Sequence, residues 1–203
     1  MKARTIAVIA LLFVVICAAL VGWSVIRAGV SARGTPSGIE RIAANTARKL
    51  AVPSSYRRLH SPFPGSAEDI RAGMEHFADH CATCHANDGS GDTMFGKGMY
   101  PKPPDMRIAG TQDKSDGELY YTIENGVRLS GMPAFGKEHD VGDTDTWRLV
   151  LFVRHLPKMT TQELQQMTRL NPKTEEERQE EKQEEDFLRG DNPQTQGNRS
   201  PQH

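Results

Sequence analysis

The 203-residue sequence predicts an all-α protein, with one N-terminal transmembrane helix and then a small domain of three to four short helices joined by long loops. Three observations support this. Thr5 to Ile26 is a run of 22 residues without a charged side chain. Downstream, apolar residues recur at helical spacing behind the helix-starting pairs Ser66/Asp69, Ser115/Glu118 and Thr160/Glu163. No stretch of the domain alternates apolar and polar residues as a half-buried strand does.

The elements follow in order. The uncharged run spans about 33 Å as a helix, enough for a hydrocarbon core of ~30 Å. It exceeds the ~7–15 residues of a signal-peptide core, although Val30-Ser31-Ala32 offers small residues for cleavage. Residues 1–27 are therefore assigned as an anchor, with a signal peptide as the alternative. Cys17 inside it reads as a small apolar residue. Residues 28–62 contain Gly29, Gly34, Pro36, Gly38 and Pro53 and no sustained apolar period, which marks a basic linker with one short helix over Gly38–Leu50. The folded domain is placed at 63–160. Ile70, Gly73, Met74, Phe77 and Cys81 define a helix over Ala67–Cys81. Residues 86–114 are a long loop rich in Gly, Pro and Asp. A second helix spans 116–125 and stops at Gly126. A second loop, 126–142, carries Gly131-Met132-Pro133. Leu149, Phe152, Val153 and Leu156 line a third helix over Asp145–Leu156, which Pro157 ends. A short helix occupies 161–171, and residues 172–203 are an acidic and polar tail expected to be disordered, transiently helical at most.

Charge is segmented although the formal net is -1. Residues 27–62 hold seven basic side chains and one acid, residues 63–158 ten and fifteen, and residues 174–186 two bases and eight acids. The balance gives no reason to expect a nucleic-acid partner. The basic linker has the charge to rest on anionic headgroups, or is simply a solvated tether. Three cysteines exclude a disulfide-dense scaffold and an all-cysteine zinc site.

The informative motif is Cys81-Ala82-Thr83-Cys84-His85. C-x-x-C-H is the attachment sequence for c-type haem: two thiols match the two vinyl groups, and the adjacent histidine supplies an imidazole nitrogen to the iron. A thioredoxin-like pair would need a preceding strand, and here an amphipathic helix precedes it. A zinc site would have to recruit His76 and His80, and no second C-x-x-C completes such a module. One motif implies one covalent haem, and a planar apolar group would supply what a thin core of short helices lacks. Candidates for the sixth iron ligand are Met94, Met99, Met106, Met132, His139 and His155. Met132 is favoured, because 47 residues and a helix separate it from His85 and Pro133 stiffens its backbone. A histidine ligand and an open site are the alternatives.

Gly73-x-x-x-Phe77-x-x-His80-Cys81-x-x-Cys84-His85, the Gly131-Met132-Pro133 loop and the Trp147/Leu149/Phe152 helix together resemble a class I cytochrome c. Within that family they more nearly resemble single-haem, membrane-anchored bacterial cytochromes, whose domain also occurs in haem-copper oxidase subunits. The resemblance covers about residues 63–160. It implies a crossing of first and last helices at Gly73 and Phe152. It also implies a hydrogen bond from the second ring nitrogen of His85 to a proline carbonyl, from Pro101, Pro103 or Pro104. One departure is Ala86, where relatives frequently carry glycine. The resemblance places the haem domain in the periplasm, on a single span of the bacterial inner membrane with its N-terminus inside. The implied function is one-electron transfer rather than enzymatic catalysis, with membrane-bound or periplasmic redox proteins as donor and acceptor. The alternatives are a haem subunit of a larger oxidoreductase complex and an open-site haem enzyme or sensor.

Overall fold

The computed structural model describes residues 2–28, 31–136 and 141–189. Among these, all regular structure is helical. The elements are α1 (Lys2–Ala28), α2 (Gly38–Ala51), α3 (Ser54–Arg57), α4 (Ala67–His80), α5 (Ala82–His85), α6 (Met94–Lys97), α7 (Ala109–Gln112), α8 (Asp116–Asn125), α9 (Thr144–His155), α10 (Thr161–Leu170) and α11 (Glu175–Arg189). A 3₁₀ turn, Leu156–Lys158, follows α9 where Pro157 removes a backbone donor.

Helix α1 contains a candidate membrane span, Ala3–Arg27, whose most apolar 18-residue window has mean hydropathy 3.0 and is not buried in the protein. It fits a single-span anchor. Val30, part of the candidate cleavage site, lies outside the described residues.

Local signals set the starts of the domain helices. Ser66 and Asp69 form a reciprocal capping box at α4, Ser115 and Glu118 at α8, and Thr160 and Glu163 at α10. Each satisfies backbone donors that a helix start leaves without partners. At α9 the Asp143 carboxylate accepts from the Thr146 N–H.

Helices α4 and α9 make the central crossing. A Cβ on Gly73 would overlap the carbonyl of Arg148 and come within 2.9 Å of the Phe152 Cβ. Only glycine allows the two backbones this close. Phe77 and Phe152 then meet with ring centroids 5.2 Å apart, inside the range of favourable aromatic pairs. Trp147 packs on Tyr120 of α8 at 4.4 Å. Met167 of α10 is fully buried in the core. Gln112 donates from one amide nitrogen to the carbonyls of Met106 and Val153, fastening the long loop to α9.

Core packing extends upstream of residue 63, as far as Val52. Val52 and Tyr56 are core residues. A Cβ on Gly117 would overlap the Tyr56 carbonyl, so α3 and α8 touch backbone to backbone. Tyr56 rests edge-on against Tyr121, 5.0 Å between centroids, and its hydroxyl donates to Glu124 Oε2 at 2.9 Å. These are isolated apolar residues among prolines and arginines, so no period reveals them. Within the tail of 172–203, residues Glu175–Arg189 are helical. The Thr174 hydroxyl accepts from the Glu177 N–H, and the Glu177 carboxylate accepts from the Thr174 N–H, so a capping box starts this helix as well. It finds no core to join, since Phe187 and Leu188 are exposed. Residues 190–203 lie outside the described residues.

Candidate functional site

Helix α4 hands the chain directly to the Cys-x-x-Cys-His segment. Cys81 caps α4, its N–H donating to the Phe77 carbonyl, and α5 continues as a single turn. The N–H groups of Cys84 and His85 both donate to the Cys81 carbonyl, at 3.1 and 2.9 Å. This turn presents Cys81 and Cys84 as half-buried free thiols and turns the His85 ring inward. Burial, with the neighbouring Cys84, pushes the Cys81 thiol up to about 12, so it is held protonated at neutral pH. Burial also lowers His85 to about 4, so its imidazole is neutral and has a free lone pair for a metal.

His85 Nδ1 is buried and has no hydrogen-bond partner among the described residues. The proline carbonyl bond is therefore not formed in this structure. Pro103 adjoins this turn through Gly91: a Cβ on Gly91 would lie 2.8 Å from the Pro103 carbonyl oxygen, and the Gly91 N–H donates to the His85 carbonyl. No such contact is found for Pro101.

Ala86 follows the motif at φ 63°, ψ 158°. That region of backbone space is nearly confined to glycine. Its strain gives weight to the departure noted in the sequence.

Met132 is half-buried against the core, in a loop folded back along α8. The N–H groups of Phe135 and Gly136 donate to the last carbonyls of α8, those of Ile123 and Glu124. The Met132 carbonyl accepts from Val127, and the Met132 N–H donates to the Ser130 hydroxyl oxygen. Gly126, at φ 66°, lets the Pro133 carbonyl group pass within 2.6 Å of where a Cβ would stand. The loop is thus fixed on both sides of the thioether.

The other candidates separate. Met94 is 84% exposed. Met106 packs against the core, its N–H bonded to the Gly89 carbonyl. The thioether of Met99 lies over Gly131, 3.1 Å from a Cβ placed there, and so adjoins the Met132 loop. His155 is held 2.8 Å from Glu163, joining α9 to α10. His139 lies outside the described residues. His76 and His80 stack on each other at 4.6 Å, and among the described residues no three His, Cys, Asp or Glu side chains converge in a metal-binding group. The zinc reading lacks its geometry.

Sequence reasoning missed Glu124. It is buried, Oε2 accepts from Tyr56 and Asn125, and Oε1 has no partner among the described residues. Its backbone carbonyl holds the end of the Met132 loop. An acid followed by Asn-Gly carries no local sign of burial.

Two free thiols on one turn, a neutral buried imidazole with one unengaged nitrogen and a methionine on a pinned loop suit haem c as a donor set. Residues 68–153 match the family described as cytochrome C oxidase, cbb3-type, subunit III. This segment is similar to a c-type cytochrome domain. No curated protein matches the chain. A cytochrome c domain implies haem c and electron transfer. The family match ends before the turn at Leu156 and leaves α1, α2, α3, α10 and α11 outside it.

Proposed function

We propose that the cytochrome c domain is a one-electron carrier with one haem c, attached through thioether bonds from Cys81 and Cys84 and ligated by His85 and Met132. When bound, the haem supplies an iron that alternates between ferric and ferrous states. The observation that carries this reading is the conjunction at α5: two free thiols one turn apart, directly before a buried neutral imidazole. Cys81 and Cys84 tether the group to the end of α4. His85 ligates through one nitrogen, and Nδ1 remains to donate to a carbonyl, for which Pro103 and then Pro101 are the proposed acceptors. That bond would fix the ring plane and strengthen the ligand. Met132 would be the second protein ligand, carried on a loop whose hydrogen bonds limit its movement. With His85 and Met132 both bound to it, the iron would supply electron transfer and not small-molecule binding.

Helix α1 supports a single-span membrane anchor, and the proposed setting is the bacterial inner membrane with the cytochrome domain in the periplasm. Donor and acceptor would be membrane-bound or periplasmic redox proteins. The acid excess of residues 63–158 favours partners with a basic docking face. A second reading, a haem subunit of a larger oxidoreductase complex, is favoured by the description of the matching family, an oxidase subunit. Isolation in mild detergent separates the two: a carrier purifies alone, and a subunit brings its complex. Addition of carbon monoxide to the reduced protein tests the closed site. No spectral change is expected, and ready binding would favour an open-site enzyme or sensor.

A further inference from the structure

Helix α2 buries none of its residues, yet its large apolar side chains share one face. Ile39, Ile42, Ala43, Thr46 and Leu50 stand at i, i+3, i+4, i+7 and i+11, the spacing of a single stripe. Ile39, Ile42 and Leu50 are 83%, 68% and 76% exposed. Arg41 and Arg48 project from the opposite side, and Lys49 from the flank.

Two observations identify what covers this stripe. The first is continuity. Nine residues separate the end of α1 from the start of α2. At ~3.5 Å per residue, α2 stays within about 35 Å of the end of the membrane-spanning helix. The second is charge. Residues 27–62 hold seven basic groups and one acid, whereas residues 63–158 carry an excess of five acids. An anionic surface would repel the cytochrome domain and attract this segment. The hydrogen bonds of α2 leave the stripe free. The Tyr100 hydroxyl donates to Glu40 Oε1 at 2.6 Å, and the Arg57 guanidinium donates to the Lys49 carbonyl. Glu40 lies about 100° around the helix from Ile39, so α2 leans on the domain by one flank.

We propose that α2 is an interfacial helix. Its Ile39, Ile42 and Leu50 stripe lies in the headgroup–acyl boundary of a bilayer containing anionic phospholipid, with its basic residues at headgroup level. The inference needs α1 to be retained as an anchor and does not need the haem assignment. It also orients the domain. Tyr100 follows Met99, whose thioether covers Gly131, so the membrane-bound helix is hydrogen-bonded close to the Met132 loop. The cytochrome domain is then held at the surface in one attitude, not swung on a loose tether.

The test uses the full chain in lipid nanodiscs of phosphatidylcholine with phosphatidylglycerol, doped with a phospholipid that carries a photoreactive group in its acyl chain. After illumination, adducts are mapped by proteolysis and mass spectrometry. Adducts are expected on α1 and on the 39–50 stripe, weaker on the stripe when phosphatidylglycerol is omitted. The double substitution Ile42→Glu and Leu50→Glu should abolish the α2 adducts and leave those on α1, with the visible spectrum unchanged. Adducts confined to α1 would overturn the proposal, and so would stripe labelling of equal strength without anionic lipid. Crosslinks from α2 to a second copy of the chain in place of lipid would overturn it in favour of a dimer. Absence of adducts on α1 as well would overturn it at its premise, because the anchor would then have been removed.

Discussion

Met132 bears most of the chemical consequence of the proposed site. A thioether is a soft donor that favours ferrous iron, so Met/His ligation raises the reduction potential. Met132→Ala should leave the haem attached, because Cys81, Cys84 and His85 are unchanged. It should make the iron partly high spin, lower the potential and admit carbon monoxide to the ferrous form. Met132→His should return the iron to low spin at a low potential. Met99→Ala is the informative control, since its thioether covers Gly131 beside the same loop. It should keep the sulfur-to-iron charge-transfer band, and losing that band there while Met132→Ala retained it would move the ligand to Met99. Ala86 gives a second expectation. Its backbone sits at φ 63°, ψ 158°, a conformation that costs a residue with a Cβ about 1–3 kcal/mol. Ala86→Gly should recover part of that, less the ~0.5–1 kcal/mol that glycine loses in the unfolded chain. Denaturant unfolding of the holo form reads the difference, and a lower midpoint for Ala86→Gly would show that the strain is absent.

Among the elements, the two contacts between backbones are the most exposed to mutation. Gly73→Val would drive a branched side chain into the Arg148 carbonyl and Phe152. The crossing of α4 and α9 would open at a cost at or above the usual overpacking range of ~1–3 kcal/mol. An unaltered melting temperature of the holo form would show that the helices do not cross there. Tyr56→Phe removes a buried donor and leaves the Glu124 carboxylate with Asn125 as its remaining partner among the described residues. A loss of ~1–3 kcal/mol is expected, together with a weakened charge-transfer band, because Glu124 closes the Met132 loop. Were 52–59 only a tether, neither quantity would move. These elements also show what the sequence could reveal. The three capping boxes of α4, α8 and α10 are local, each spanning four residues, and could be read directly. The Tyr56–Glu124 bond joins residues 68 apart, and no property of either residue alone points to the other. The Cys81–His85 motif was legible because its spacing is its chemistry. The conformation of Ala86 and the hydrogen bonds that fix the Met132 loop arise only once α5 and α8 are in place.

At the scale of the whole molecule the chain divides by charge and by burial. An apolar helix is followed by a basic helix with no buried residue, then by a cytochrome c domain with an acid excess, and finally by an acidic helix that joins no core. In the proposed function the domain holds the redox site, and in the proposed interfacial placement the basic helix before it would set how that site meets a surface. Core side chains come from α4, α5, α8, α9, the turn at Leu156 and α10, with Val52 and Tyr56 added from the segment that precedes α4. A planar apolar group bonded at the end of α4 would complete this small core and make folding depend on its attachment. That dependence makes covalent haem the central claim. It is tested by expressing the chain with a cytochrome c maturation system, running it on a denaturing gel stained for haem, and recording the pyridine haemochrome spectrum of the same preparation. The expected result is haem that migrates with the polypeptide, a c-type haemochrome at one haem per chain, and loss of both signals in Cys81→Ala/Cys84→Ala. A colourless chain from that system, or haem that leaves the polypeptide on denaturation, would contradict it.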